Sequence, residues 1–107
     1  MTRLEKDIKR TIEEYLQYKM NAGKLIFFRL NTGNIIIQGD KPRRFKGCGI
    51  KGASDLVVID HFTEYFIECK SDTGKQSPDQ KAFQATVEKL GCEYILARKL
   101  EDVSEII

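Results

Sequence analysis

Hydrophobic positions recur at helical spacing near the start of the chain and in alternation through its middle, and this change of period predicts the order of elements. The first segment carries the capping-box sequence Thr2-Arg3-Leu4-Glu5, which predicts a helix running to about Lys19. The turn-forming run Asn21-Ala22-Gly23 then ends the helix. Its apolar stripe consists of Leu4, Ile8, Ile12, Tyr15 and Leu16.

Short apolar or alternating runs typical of strands follow this helix. They are residues 25–30, 35–38, 55–60, 64–70 and 93–97. A second capping box, Ser77-Pro78-Asp79-Gln80, has proline at the first helical position and predicts a helix that stops at Gly91. Phe83, Val87 and Leu90 form its apolar side, and residues 100–107 are predicted to form a short closing helix.

The predicted order is therefore α-β-(β)-β-β-α-β-α. A chain of 107 residues is the length of one domain and can bury a core of its own, so residues 1–107 are assigned to a single domain. Helices at both ends of a run of strands predict an α/β fold, with a mixed central sheet of about four strands in two or three layers.

The two middle strands are predicted to form a hairpin that brings acidic residues together. With the turn at His61-Phe62, Asp55 lies directly opposite Glu68, and Lys70 points to the same face of the sheet. The prediction depends on the register, because a slip of one residue would move the two acids to opposite faces. His61 at the tip lies too far along the strands to act with them.

Two carboxylates that face each other destabilise a sheet unless positive charge lies between them. A divalent cation together with Lys70 would meet that need, and oxygen-only ligands favour Mg²⁺ or Mn²⁺ over zinc. The alternative is a solvated face on which Asp55, Glu68 and Lys70 are ordinary surface charges. The other positions on that face are the apolar residues Val57, Ile59 and Phe66. The abrupt change from apolar to charged positions favours the metal-binding interpretation.

Glu5 and Gln80 each permit two interpretations. Glu5 projects within the apolar stripe of its helix, where a carboxylate needs a partner. The partner is either the acidic site or the helix N-terminus, since Glu5 is the third residue after Thr2. Likewise, Gln80 can complete the capping box with Ser77, and it also lies near Val87 at the edge of the second apolar stripe.

Composition excludes several classes of protein. Hydrophobic residues make up 41% and charged residues 32% of the chain, as in ordinary globular domains. The apolar runs are far too short to cross a bilayer, and the first residues do not resemble a signal peptide. Cys48, Cys69 and Cys92 are odd in number and widely spaced, which argues against both disulfides and a zinc site. The expected location is a reducing compartment, by default the cytoplasm.

The formal net charge of +2 is weak evidence, because phosphate binding depends on local clusters of lysine and arginine. One such cluster occupies a glycine-containing stretch that is predicted to be a flexible loop. Its members are Lys41, Arg43, Arg44, Lys46 and Lys51. The cluster is either a phosphate-binding surface or an ordinary solvated loop.

The hairpin residues also carry a resemblance to known nucleases. The segment Gly52-Ala53-Ser54-Asp55-Leu56, followed by Glu68-Cys69-Lys70, resembles the split Asp…Glu-x-Lys signature of the restriction-endonuclease-like, or PD-(D/E)XK, superfamily. The chain is more closely similar to the virus-type replication-repair nuclease (VRR-NUC) domain, whose motifs follow in order through nearly its whole length. The further motifs are Glu5 on an early helix, Arg29-Leu30-Asn31-Thr32-Gly33 at a strand end, and Ser77 to Gln80 opening a helix.

The resemblance implies a restriction-endonuclease-like core and a metal-dependent deoxyribonuclease. It implies that Asp55 and Glu68, with the backbone carbonyl of Cys69, hold Mg²⁺ or Mn²⁺. Glu5 would help to hold the ion, directly or through water. The family more often has an aliphatic residue where this chain has Cys69, and its thiol is expected to face the core.

The resemblance also implies roles outside the ligand set. Lys70 would orient or activate the attacking water, and Gln80 would steady the site or contact DNA. Arg29 and Asn31 alternate onto one face of a strand and are either DNA-backbone contacts or a strand end leaving the core. Lys75 either contacts phosphate or simply keeps a loop solvated.

The implied substrate is DNA, read by shape because so small a chain offers few surfaces for reading sequence. The resemblance points to branched DNA such as four-way (Holliday) junctions, which a two-fold homodimer would suit. The alternatives are a less selective structure-dependent nickase or flap nuclease, and a non-cleaving DNA-binding module that retains the fold. The intact acidic positions argue against the module, and a purely structural domain would leave the facing acids unexplained.

Overall fold

The computed structural model describes residues 3–30 and 49–107, together with the backbone of two short strands between them. In this part of the chain helices stand at both ends of a run of strands, as predicted. The elements are α1 (Glu5–Asn21), β1 (Ile26–Arg29), β2 (Ile35–Ile37), β3 (Arg43–Phe45), β4 (Leu56–Asp60), β5 (Thr63–Cys69), α2 (Pro78–Lys89), β6 (Glu93–Ala97) and α3 (Glu101–Ser104).

The central sheet has four strands in the order β1-β4-β5-β6. β1, β4 and β5 pair antiparallel, whereas β5 and β6 pair in parallel. Parallel neighbours need a crossover connection, and α2 lies within the segment that supplies it. The predicted mixed α/β fold with a four-stranded sheet is therefore confirmed.

The hairpin of β4 and β5 has the predicted register. Asp60 pairs with Thr63 and Leu56 pairs with Ile67, with a two-residue turn in which His61 has a φ of 46°. One step beyond the last pair, Asp55 comes next to the end of β5, and its side chain accepts a hydrogen bond from the backbone N–H of Cys69. The register that the acidic pair requires is thus present.

The core fills the space between α1, α3 and one face of the sheet. Ile12, Leu16 and Val103 from the helices pack with Leu56 and Ile67 from the strands, all of them fully buried. On the opposite face α2 contributes Val87 to the buried residues and stacks Phe83 edge-on against Phe66 and Tyr94. The domain therefore has three layers, with helices on both faces of the sheet.

Helix α2 covers only part of its face of the sheet. α2 packs against β6, and the half of the sheet built from β1 and β4 leaves Ile26, Phe28 and Ile59 between 44% and 59% exposed. The apolar stripe expected beside the acidic pair is accordingly buried at Val57 but not at Ile59. Leu90, at the C-cap of α2, is also exposed at 75%, contrary to its predicted inward position.

Helix α1 begins later than predicted. Its first helical residue is Glu5, Leu4 is the N-cap without a side-chain capping bond, and the helix continues to Asn21 rather than Lys19. Thr2 lies outside the described residues. Because residues 3–6 are all exposed, the first turn extends beyond the packed core, and Leu4 and Glu5 are not on a buried face. The prediction that Glu5 lies on a buried face is therefore wrong. A helical projection gives its direction from the axis, whereas its position along the axis decides its exposure.

Two further boundaries differ from the prediction. The basic stretch expected to be a loop contains β3, which pairs antiparallel with β2 through Ile36 and Arg44. Pairing satisfies backbone N–H and carbonyl groups whatever the side chains are, so strand propensity underestimates a charged strand beside an apolar one. The closing helix is a single turn, Glu101–Ser104, rather than residues 100–107.

None of the helices in residues 3–30 and 49–107 is both long and apolar enough to cross a membrane.

The packing of α1 on the sheet generates the first prediction. Ile12 is fully buried, whereas Ile26 on β1 is 59% exposed. Ile12→Ala should lower the free energy of unfolding by about 2–5 kcal/mol, because it removes buried methyl groups and leaves a cavity. Ile26→Ala, the same change at an exposed position, should cost no more than about 1 kcal/mol. Urea denaturation measures both, and equal losses would contradict the assignment of the core to the α1 side.

Candidate active site

The predicted acidic residues meet at one end of the sheet. Asp55 lies in a bend just before β4, and Glu68 is the next-to-last residue of β5. Because β4 and β5 are antiparallel, the start of one and the end of the other share an edge. The site therefore lies where the first turns of α1 and α2 approach the sheet from its two faces.

Asp55 is held by the backbone on both sides. Its Oδ2 accepts the Cys69 N–H at 2.8 Å, and its own backbone carbonyl accepts the Leu30 N–H at 2.8 Å. Its other carboxylate oxygen, Oδ1, lies 3.8 Å from Nζ of Lys9 on α1. Asp55 is consequently fixed in direction, with one oxygen bound to the main chain and the other beside an ammonium group.

Glu68 is the charged residue buried most deeply here, with only 3% of its surface exposed. Its Oε2 accepts a hydrogen bond from Nε2 of Gln80 at 3.2 Å and lies 4.0 Å from Nζ of Lys70. Its Oε1 is buried and has no hydrogen-bond partner among the described residues. Buried polar atoms are nearly always paired, so this oxygen indicates a missing ligand or proton.

The surroundings of Glu68 raise its pKa to about 8. Burial is the largest cause, and the negative charge of Asp55 is the second; the ammonium of Lys70 opposes both. A proton on Glu68 also permits a hydrogen bond to Asp55, which raises the pKa further, and Glu5 adds a smaller negative contribution. The pair therefore retains a proton that a cation bound between the acids would displace.

Gln80 satisfies both of the interpretations left open by the sequence. Its Oε1 accepts the Ser77 N–H at 2.9 Å, and its backbone N–H donates to Oγ of Ser77 at 3.1 Å, which completes the capping box. The Nε2 of the same amide donates to Glu68. One side chain thus starts helix α2 and fixes the orientation of the buried acid.

Gly52 explains how α2 comes so close to the acidic pair. It has a φ of 76°, and a Cβ built on it would lie 2.6 Å from the backbone nitrogen of Gln80 and closer still to the carbonyl group of Asp79. No side chain fits in that space without shifting the first turn of α2. The glycine of the Gly-x-x-Asp motif is therefore needed for helix packing against the loop that precedes Asp55.

Lys70 and Glu5, two residues of the predicted site, differ in whether they contact the acidic pair. Lys70 is confirmed beside Glu68, with its side chain only 12% exposed. Glu5 is exposed on the first turn of α1, and it reaches the site only as a nearby negative charge. Because Leu4 is the N-cap and Glu5 is the first helical residue, Glu5 does not stand third after a cap as predicted.

Lys9 is a site residue that sequence reasoning missed. It lies one helical turn after Glu5 and is half-buried beside Asp55. The available signal was its position on the border of the apolar stripe next to Ile8 and Ile12, which directs it toward the sheet. A lysine at such a border is common on helices, so the sequence alone did not single it out.

Cys69 behaves as predicted. Its side chain is fully buried in the core on the α1 side, opposite in direction to Glu68, and burial raises the pKa of its thiol well above its ordinary range. Its backbone N–H binds Asp55, so it takes part in the site through the main chain.

The predicted DNA-contacting residues are divided between described and undescribed parts of the chain. Arg29 donates to Glu13 on α1 through Nε at 2.9 Å and through Nη2 at 2.7 Å, so in this state it ties β1 to the helix. Lys51 and Lys75 are exposed. His61 is exposed at the hairpin turn, as expected. Asn31 and the side chains of Arg43, Arg44 and Lys46 lie outside the described residues.

The donor set fits a hard cation. Asp55 and Glu68 offer carboxylate oxygens, one of which is buried without a partner, and Cys69 offers a main-chain carbonyl at the same strand end. Within residues 3–30 and 49–107 no three His, Cys, Asp or Glu side chains converge as a ready-made cluster. Mg²⁺ needs no such cluster, because it is usually held by one or two carboxylates together with water and substrate phosphate.

No protein-family model matches this sequence, and no curated protein matches it. The assignment of a function to the site therefore rests on its own residues and geometry, together with the motif resemblance.

The close approach at Gly52 can be tested against a matched glycine. Gly52→Ala and Gly91→Ala both place an alanine at positive φ, but only the first meets backbone atoms, since nothing lies within 4 Å of a Cβ at Gly91. Gly52→Ala should therefore cost about 1–3 kcal/mol more in unfolding free energy than Gly91→Ala. Chemical denaturation measures the difference. Equal costs would show that the contact with Asp79 and Gln80 is not tight.

The raised pKa of Glu68 predicts a pH dependence of stability in metal-free protein. The folded state binds the proton more tightly than the unfolded state, so this contribution is fully present below pH 4.5 and is lost as the pH rises through about 8. The free energy of unfolding in a chelator should fall across that window. Glu68→Gln cannot ionise and should remove most of the fall; an unchanged slope in that variant would contradict the assignment.

Proposed function

We propose that this chain is a metal-dependent DNA endonuclease that hydrolyses phosphodiester bonds with Mg²⁺ or Mn²⁺ held between Asp55 and Glu68. The observation that carries the proposal is the buried Oε1 of Glu68, which has no hydrogen-bond partner in the described residues although the carboxyl group lies close to the negative charge of Asp55. A buried acid beside a second carboxylate is costly unless a proton or a cation offsets its charge, and the proposed cation would displace that proton.

We propose in addition that the mixed α/β fold of this chain is a specific one. A restriction-endonuclease-like core of the VRR-NUC type is supported by the order of motifs along the chain and by their elements. Asp55 precedes β4, the Glu-x-Lys motif ends β5, and Gln80 opens α2. These motifs are distant in sequence and adjacent in the fold, which chance matches to a short pattern would not require.

The ligands would be one oxygen each from Asp55 and Glu68 and the backbone carbonyl of Cys69, with Glu5 reaching the ion through water. When bound, the cation supplies a Lewis acid at the scissile phosphate. Asp55 is already aimed by the Cys69 N–H, and Glu68 is aimed by Gln80, so little reorganisation is needed to receive the ion.

Lys70 supplies the remaining charge. Its ammonium is nearly buried beside Glu68, where it is held in one place and can orient the attacking water and offset negative charge growing on the phosphate. Hydrolysis adds the water oxygen to phosphorus and breaks one ester bond, leaving a phosphate end and a hydroxyl end. Gln80 keeps its contact with Glu68 throughout and acts as a positioning residue.

The proposed substrate is branched DNA, such as a four-way junction, cut by a homodimer with one site for each of two strands. The small size of the chain supports recognition by shape, because few surfaces are available for reading base edges. Exposed Lys51 and Lys75, with the basic residues at 41–46, are the proposed contacts to the DNA backbone.

Cleavage of defined DNA structures tests the proposal. Purified protein should cut labelled four-way junctions in Mg²⁺ or Mn²⁺, cut linear duplex more slowly, and cut neither in a chelator. Glu68→Ala should reduce the rate by at least about 10²-fold, the scale expected for losing one preorganised electrostatic group. The measurement is product formed under single-turnover conditions on a denaturing gel.

Glu64→Ala is the matched control, because Glu64 lies on the same strand but is exposed. It should cut at the wild-type rate. Cleavage that survives the chelator or Glu68→Ala would rule out this metal site. Binding of junctions without cleavage in either metal would instead show a non-cleaving DNA-binding module.

A further inference from the structure

Lys9 and Lys70 contact different members of the acidic pair. Its Nζ lies 3.8 Å from Oδ1 of Asp55, whereas Nζ of Lys70 lies 4.0 Å from Oε2 of Glu68. Glu5 is one helical turn before Lys9 and is a natural helical partner for it. Among the described residues, however, the ion pair of Lys9 is with Asp55. Asp55 and Glu68 thus each lie beside the ammonium group of a different lysine.

The two lysines differ in their freedom to move. The side chain of Lys70 is 12% exposed, while that of Lys9 is 35% exposed. Lys70 is therefore confined beside Glu68, but Lys9 can swing toward solvent by rotating its own side-chain bonds. A divalent cation that binds Asp55 would repel an ammonium group a few ångströms away. Of the two, Lys9 is the one that can withdraw.

Asp55 does not need Lys9 to keep its direction. Its Oδ2 accepts the Cys69 N–H at 2.8 Å, and the bend that carries it is fixed by the bond from the Leu30 N–H to its carbonyl. Removing the Lys9 ammonium would take away a positive charge that competes with the cation for Asp55. The orientation of the Asp55 carboxylate would stay the same. The gain in cation affinity from removing this competition should therefore outweigh any loss of affinity from a less ordered Asp55.

We propose that Lys9 is a displaceable counterion of Asp55, which neutralises that carboxylate in the metal-free protein and is driven off it when a divalent cation binds. It is a positioning residue rather than a catalytic one. The inference rests on the proposed metal site, because it assigns Lys9 a role toward the ion that Asp55 and Glu68 would hold.

The test is Mn²⁺ affinity, measured from the free-ion electron paramagnetic resonance signal, with no DNA present. Lys9→Met removes the charge and keeps most of the apolar length of the side chain. It should tighten Mn²⁺ binding by about threefold to tenfold, the range for relief of a partly exposed charge interaction. It should also lower the melting temperature in a chelator and enlarge the upward shift caused by Mn²⁺.

Two variants control for charge and position. Lys6→Met makes the same change at an exposed lysine on α1 and should leave Mn²⁺ affinity unchanged. Lys9→Arg retains a positive charge and should restore affinity close to that of wild type. Glu68→Ala should abolish tight binding, which establishes that the titration reports the proposed site.

The outcomes separate this inference from the proposed function. If wild type takes up no Mn²⁺, the metal site fails and the role of Lys9 fails with it. If wild type binds Mn²⁺ and Glu68→Ala does not, the site stands. Within that result, unchanged or weaker binding by Lys9→Met overturns the counterion role, and so does equal tightening by Lys6→Met.

Discussion

Two carboxylates lie side by side at the end of the β4–β5 hairpin, one of them almost wholly removed from water. Charges of the same sign in such a place repel each other and lose hydration, and several neighbouring groups counter these two costs. Lys70 and Lys9 each bring an ammonium group to one acid, and the Cys69 N–H and the Gln80 amide supply hydrogen bonds. One oxygen of Glu68 is still left without a partner among the described residues, and either a proton or the proposed cation would satisfy it.

The constraint extends into the layers of the fold. Gln80 can reach Glu68 only because α2 starts against the loop before β4, and it starts there only because Gly52 has no side chain. The same Gln80 amide caps the helix, so starting α2 and orienting the acid are coupled. From the other face, the first two turns of α1 bring Glu5 and then Lys9 to the same edge.

The two faces of the sheet are covered unequally. The core on the α1 side is closed by two helices, which bury Leu56 at the start of β4 and Cys69 at the end of β5. The opposite face is only partly covered by α2. Glu68 is therefore carried by a packed strand and Asp55 by the bend before the next one, while the ammonium of Lys9 is at the end of a partly exposed side chain. In the proposed metal site, such a division would order the ligand pair before the ion binds.

The sequence by itself determined the mixed α/β fold, the register of the hairpin and the convergence of Asp55, Glu68 and Lys70, and it left two interpretations of Gln80 open. These follow from alternation, capping boxes and a two-residue turn, which are local patterns. Whether that site binds a metal and cuts DNA stays a prediction.

Only the tertiary structure decided that Lys9 joins the site, that Gly52 admits α2, that Glu5 is exposed and that a charged segment forms β3. Each of these depends on what a residue meets from another element. A helical projection gives the direction of Glu5 or Lys9 but not the height at which the sheet ends. The strand propensity of one segment does not include the partner strand that satisfies its backbone hydrogen bonds. Distances between elements are set by packing, and packing is not a property of any one segment.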